Sequence, residues 1–179
     1  MPVLNASAPT MLSDGDAACF CGTARRIELS GPKTLYRLAG SKTDDGRWAR
    51  DQERGAWWFD SNMLNALKTD VLDAVYDGDN QQRRNILAGT RTDLAVKQKW
   101  SDMAWFCLLK LAAGDSLWAW VGIAEQQQDR GHGFFEGMMP GGGTQYFIPG
   151  LNAVTALDAR KHPTHEIIGQ MAQSPSWRG

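Results

Sequence analysis

The chain has 179 residues, with 19 Lys and Arg set against 20 Asp and Glu for a net charge of −1, which fits one domain with a sizeable core and leaves little room for a second. Near-neutrality argues against a protein held on nucleic acid by bulk electrostatics and leaves room only for a local basic patch. Three cysteines are too few, and odd in number, for a disulfide framework, and no apolar run approaches the roughly 20 residues that span a bilayer.

Residues 1–17 are rich in Ala, Ser, Pro and Asp without periodicity, and are expected to be a loosely ordered lead-in. They carry no basic region followed by an apolar core, so neither a secretory signal nor an anchor is read. The expected location is the cytoplasm, reached in place or by a delivery route that needs no cleavable signal, with no membrane partner. Residues 18–29 can hold a strand, and Ser30, Gly31 and Pro32 form a turn into a β-like run over 33–39. In that run Arg37 shares a face with Leu35 and Ala39, either snorkelling at the sheet rim or partly buried and paired.

Residues 40–55 are polar and charge-dense, with Trp48 as the one large apolar side chain beside Arg47 and Arg50. A ligand-facing loop and a solvated loop anchored by one Trp explain this equally well. Residues 56–59 read as a strand, with Asp60 or Ser61 as the N-cap of a helix whose apolar stripe runs Met63, Leu64, Leu67, Val71, Leu72, Val75 and Tyr76. Residues 80–100 hold one or two short helices.

The apolar run 103–124, broken by Ala113, Gly114, Asp115 and Ser116, is expected to be a hairpin of two buried strands at the centre of the sheet. Residues 125–140 form a long loop with Phe134 and Phe135 at its middle, a length more typical of a lid or recognition loop than of filler. Gly141, Gly142 and Gly143 then feed a short strand in which Gln145 and Phe147 face one way, and Thr144, Tyr146 and Ile148 the other. Successive glycines permit positive φ or close approach to a ligand. A final strand is expected around 166–169, with a frayed tail. Eight tryptophans are many for this length; most should be core, and one or two near charged loops can stack on a planar ligand. Cys19 and Cys21 with His162 and His165 match no usual ligand spacing, so no metal is expected.

The strand with Tyr36 and Arg37, the strand from Trp57 through Ser61 into a helix, and the late Gly143-Thr144-Gln145-Tyr146 strand resemble, in order and spacing, the ADP-ribosyltransferase fold. The stretch Pro140-Gly141-Gly142-Gly143-Thr144-Gln145 resembles in particular the necrotising-toxin type of NAD glycohydrolase, as does the passage Val121 to Gln126. The resemblance implies an α+β fold of split, mixed or antiparallel sheets with flanking helices, and a single catalytic domain over 1–179. It implies NAD as substrate, cleaved at the nicotinamide–ribose bond by hydrolysis or by transfer to a protein or RNA acceptor. It further implies an antibacterial toxin or effector with a neutralising immunity partner, delivered into a target cell. Gln145, Arg37 and Ser61 would be catalytic; Tyr36, Trp58, Phe134, Tyr146 and Gly143 would bind NAD, with Glu136 as a reserve acid.

Two departures bear on the reaction. Residues 144–147 hold no Glu-x-Glu or Gln-x-Glu, and the middle motif reads Phe59-Asp60-Ser61 where the family has Ser-Thr-Ser. The missing Glu favours hydrolysis over transfer to a protein arginine. A reading of another class remains: a protein-binding module or inhibitor whose Trp-rich surface forms an interface.

Overall fold

The computed structural model describes residues 3–41, 52–66, 91, 93–96, 101–129, 137–139 and 141–167. The loop carrying Arg47, Trp48 and Arg50, the expected helix beyond residue 66, Phe134 with Glu136, and the tail beyond 167 lie outside them. Within them the chain is α+β, built on two antiparallel sheets. In the first, β1 (Arg25–Ser30), β5 (Ser116–Ile123), β8 (Thr144–Phe147) and β3 (Trp57–Trp58) lie in the order β1-β5-β8-β3. In the second, β4 (Trp105–Leu111) sits between β2 (Lys33–Ala39) and β9 (Asp158–Pro163); apart from both, β6 (Gln127–Asp129) pairs with β7 (Gly137–Met139) as a two-stranded ribbon.

The run 103–124 is not a hairpin. Its two halves are strands, as the apolar pattern requires, and each is internal to a sheet, but β4 pairs with β2 and β9 while β5 pairs with β1 and β8. The turn between them, with Asp115 N–H donating to Ala112 O at 3.1 Å, carries the chain from one sheet to the other. The Ser30–Lys33 connection makes the same crossing from β1 to β2. The two crossings touch: Gly31 N–H donates to Asp115 O, and a Cβ on Gly31 would stand 1.9 Å from Ala112 O.

Alternation then assigns the faces. Leu29, Leu117, Ala119, Tyr146 and Trp58 from the first sheet meet Leu35, Ala39, Cys107, Leu109 and Leu111 from the second in one buried core. Phe106, on the other face of β4, packs with Phe59, Met63 and Leu64 in a second cluster that also takes Tyr36, Leu38 and Leu108. The second sheet is therefore covered on both faces, which is why β4 reads as a continuous apolar run. Phe59 joins the two sheets, exchanging both backbone hydrogen bonds with Tyr36 at 2.8 Å just after β3 has paired with β8.

Two expectations are corrected here. Residues 3–17 were expected as a loose lead-in, yet Leu4 N–H donates to Ser116 O and a short helix at Asp14–Ala17 is capped by Ser13. Asn5, only 2% exposed, donates to Trp118 O and Pro149 O and accepts from Trp118 N–H. The cause is a gap in the ladder: pairing between β5 and β8 stops at Trp120 opposite Phe147, so Trp118's peptide groups need a partner, and the Asn5 amide supplies it. Among the described residues the last strand is β9, at 158–163, and residues 164–167 are helical, so no strand begins at Glu166; residues 168 and 169 lie outside the described residues.

Candidate functional site

Where β3 passes from β8 to β2, a cleft of about 330 Å³ opens, walled by Trp57, Trp58 and Phe59, with Arg37 from the second sheet and Gln145 from the first. Cys19, Glu125 and Gln127 line one side, and residues 94–96 with Ser101 and Met103 line another. The volume falls at the small end of the range for organic ligands, roughly 300–1,000 Å³.

Arg37 shares its strand face with Leu35 and Ala39, as the alternation predicts, but its guanidinium lies flat against Gly55. A Cβ there would meet Nη1 at 2.1 Å and Cζ at 2.2 Å. Nη1 also reaches Trp57 O at 3.4 Å. Burial pulls the Arg37 pKa down from its usual value, and an arginine stays cationic even so.

Gln145 is 8% exposed and lies opposite Gly122, whose missing side chain leaves space that the Phe20 ring fills. The Gln145 amide donates from Nε2 to Cys19 O at 2.7 Å. A carbonyl can only accept, so the NH₂ is fixed on that side and Oε1 is the atom left to a ligand. The segment around Cys19 runs antiparallel to residues 123–125, with Cys21 N–H donating to Ile123 O and Glu125 N–H donating to Cys19 O. The Trp57 ring sits between Phe20, 5.3 Å away, and Phe147, 4.9 Å away.

Two wall residues stand in the left-handed region without being glycine, Ala95 at φ 50° and Met103 at φ 55°. Arg91 braces this wall by donating to Val96 O and Ser101 O. Non-glycine residues held at positive φ concentrate at functional sites, because surrounding structure must be spent to keep them there.

Of the residues expected at the site, Arg37, Gln145 and Trp58 line the cleft. The others lie elsewhere or outside the described residues. Tyr36 faces the second cluster, stacked on Phe59 at 6.1 Å, because it alternates with Arg37. Tyr146 faces the main core and donates its hydroxyl to Asp60 Oδ2 at 3.0 Å; burial, then the Asp60 charge, pushes its pKa up to about 12. Ser61 is an exposed first-turn residue of the helical stretch 61–66, whose cap is Asp60, with Oδ1 accepting from Asn62 and Met63 N–H. Gly143 serves the frame: its N–H donates to Asp93 O at 2.9 Å and its carbonyl accepts from Ala124 N–H. Phe134 lies outside the described residues.

Sequence reasoning passed over Gly55, Trp57 and Glu125. Trp57 was readable, as the outward partner of Trp58. Glu125 had two signals, the end of the apolar run at Ala124 and its place in the resembling passage Val121 to Gln126, but nothing local tied it to Gln145. Among the described residues no three His, Cys, Asp or Glu gather to hold a metal, and no helix is long and apolar enough to cross a membrane.

No family model and no curated protein matches the chain. Among solved structures it is similar to "Rhs1-CT in complex with cognate immunity protein RhsI1", at 18% identity and a TM-score of 0.44, over 80% of this chain and 83% of that one. A likeness this remote assigns no shared activity.

Proposed function

We propose that this chain is an NAD-consuming enzyme of the ADP-ribosyltransferase type, cleaving the nicotinamide–ribose bond by hydrolysis or by transfer to a macromolecule. The reading includes a role as a toxin or effector opposed by an immunity partner, for which the support is the resemblance of residues 140–145 to the necrotising-toxin glycohydrolases. The observation that carries the catalytic reading is the meeting of Arg37 and Gln145, from different sheets, in one aromatic-walled cleft. Nicotinamide leaves as a neutral base, so the reaction needs no general acid; it needs a held ribose, support for oxocarbenium charge and room for an acceptor. Gln145 Oε1 suits a ribose hydroxyl, the Arg37 fork suits a pyrophosphate, and Trp57 and Trp58 offer flat apolar surface to nicotinamide.

The test is nicotinamide release from NAD. Wild-type protein is expected to release it, Gln145→Ala to lose about 10²-fold or more, and Arg37→Lys to raise KM. NAD at ~100 times its Kd should stabilise the fold by roughly 2.7 kcal/mol in a thermal shift. Wild-type protein that neither releases nicotinamide nor melts higher with NAD sinks the reading. Radiolabelled ADP-ribose retained on protein or RNA, instead of free in solution, separates transfer from hydrolysis.

A further inference from the structure

The chain has no acid beside Gln145, yet the cleft has a carboxylate. Among the described residues that line it, Glu125 is the acidic one. It arrives from the neighbouring strand: β5 runs past its last pair with β8, Ala124 N–H donates to Gly143 O, and Glu125 follows. One atom then holds both residues, since Cys19 O accepts the Gln145 side-chain Nε2 at 2.7 Å and the Glu125 backbone N–H at 3.0 Å. Glu125 Oε1 accepts from Gln126 N–H at 3.1 Å, which leaves Oε2 as the oxygen it can offer.

Resting on the NAD-cleaving reading, we propose that Glu125 is a catalytic residue of this cleft, the base that activates a neutral oxygen acceptor, water or a hydroxyl. The acceptor O–H gives its proton to the Glu125 carboxylate while its oxygen bonds to ribose C1′. The C1′–N bond breaks with its electron pair going to the pyridinium nitrogen, and nicotinamide leaves uncharged. The proton on Glu125 then passes to solvent. Gln145 and Glu125 divide the work that a paired motif on one strand would do: the amide holds the ribose and the acid prepares the attacker. The backbone pairing of Glu125 N–H with Cys19 O fixes where the residue enters the cleft wall, and its side chain is the acidic one among the described lining residues.

The experiment measures nicotinamide release by wild type, Glu125→Ala, Glu125→Gln and Gln145→Ala, each with and without sodium azide. Azide is already anionic and attacks C1′ without giving up a proton. Expected is a fall of about 10²–10⁴-fold in kcat for both Glu125 variants, with NAD binding kept within a few-fold by thermal shift. Azide should restore turnover to Glu125→Ala, forming ADP-ribosyl azide, and should not restore Gln145→Ala. Glu125→Gln retains an oxygen for Gln126 N–H, so its loss cannot be blamed on that hydrogen bond. Wild-type rates in the Glu125 variants, loss of NAD binding, or loss that azide does not relieve would each overturn the assignment. Inactive wild-type protein overturns the NAD reading itself, a different result.

Discussion

A methyl group at residue 55 would stand 2.1 Å from Nη1 of Arg37, far closer than a Cβ comes to a non-bonded heavy atom, so the guanidinium owes its place to a hydrogen. Gly55 is not among the glycines at positive φ, and its backbone accommodates alanine. Gly55→Ala should therefore move the Arg37 side chain without unfolding the protein. The expected result is a melting temperature near wild type, a KM for NAD raised about tenfold or more, and a smaller change in kcat, because a displacement near 1 Å can cost ~10²-fold. An unchanged KM would show that Arg37 does not meet the substrate in this position. Arg37 and Gln145 could be picked out from sequence because the motifs that carry them resemble those of the ADP-ribosyltransferase fold; strand alternation added only which neighbours share their faces. Gly55 and Glu125 could not, since each matters through an atom far along the chain: the Arg37 guanidinium for one, Cys19 O for the other.

At the level of elements, β2 is the segment 33–39 as its composition indicates, and β3 falls within 56–59. Strand identity is local, a matter of β-prone residues between turn formers. Partner choice is not local, and the pair β4 and β5 shows it. A four-residue break between apolar strands reads as a hairpin, but Gly31 packs under Ala112 and directs both connections across the gap between sheets. Residues 3–8 show the converse, an apparently featureless segment held by an unfilled edge. Asn5→Ala would leave Trp118 N–H, Trp118 O and Pro149 O without their partner, at a cost of about 3 kcal/mol. That corresponds to a drop of roughly 6–12 °C in melting temperature for a domain of this size, measured by calorimetry. A drop under a degree would mean that water takes over the Asn5 contacts.

Across the whole molecule, the strand pairs of both sheets join segments distant in sequence: β1 with β5, β5 with β8, β3 with β8, β2 with β4 and β4 with β9. Such pairings need long loops closed before any contact repays the entropy, so refolding from denaturant should take milliseconds to seconds or longer, with microsecond folding excluded. Stopped-flow tryptophan fluorescence reads this directly, because Trp57, Trp58, Trp105, Trp118 and Trp120 all lie in these strands. The sequence by itself determined β2, β3, the two strands within 103–124 and the faces they present, because these follow from period-two alternation. It offered Asp60 or Ser61 as the cap, and the resemblance of its motifs pointed to Arg37, Gln145 and Trp58 of the cleft. Only the tertiary structure decided which strands are neighbours, which of their faces meet at the cleft, and that Glu125 lines it together with Gln145. Those depend on long-range packing, where a missing Cβ at Gly31, Gly55 or Gly122 sets how closely distant segments approach.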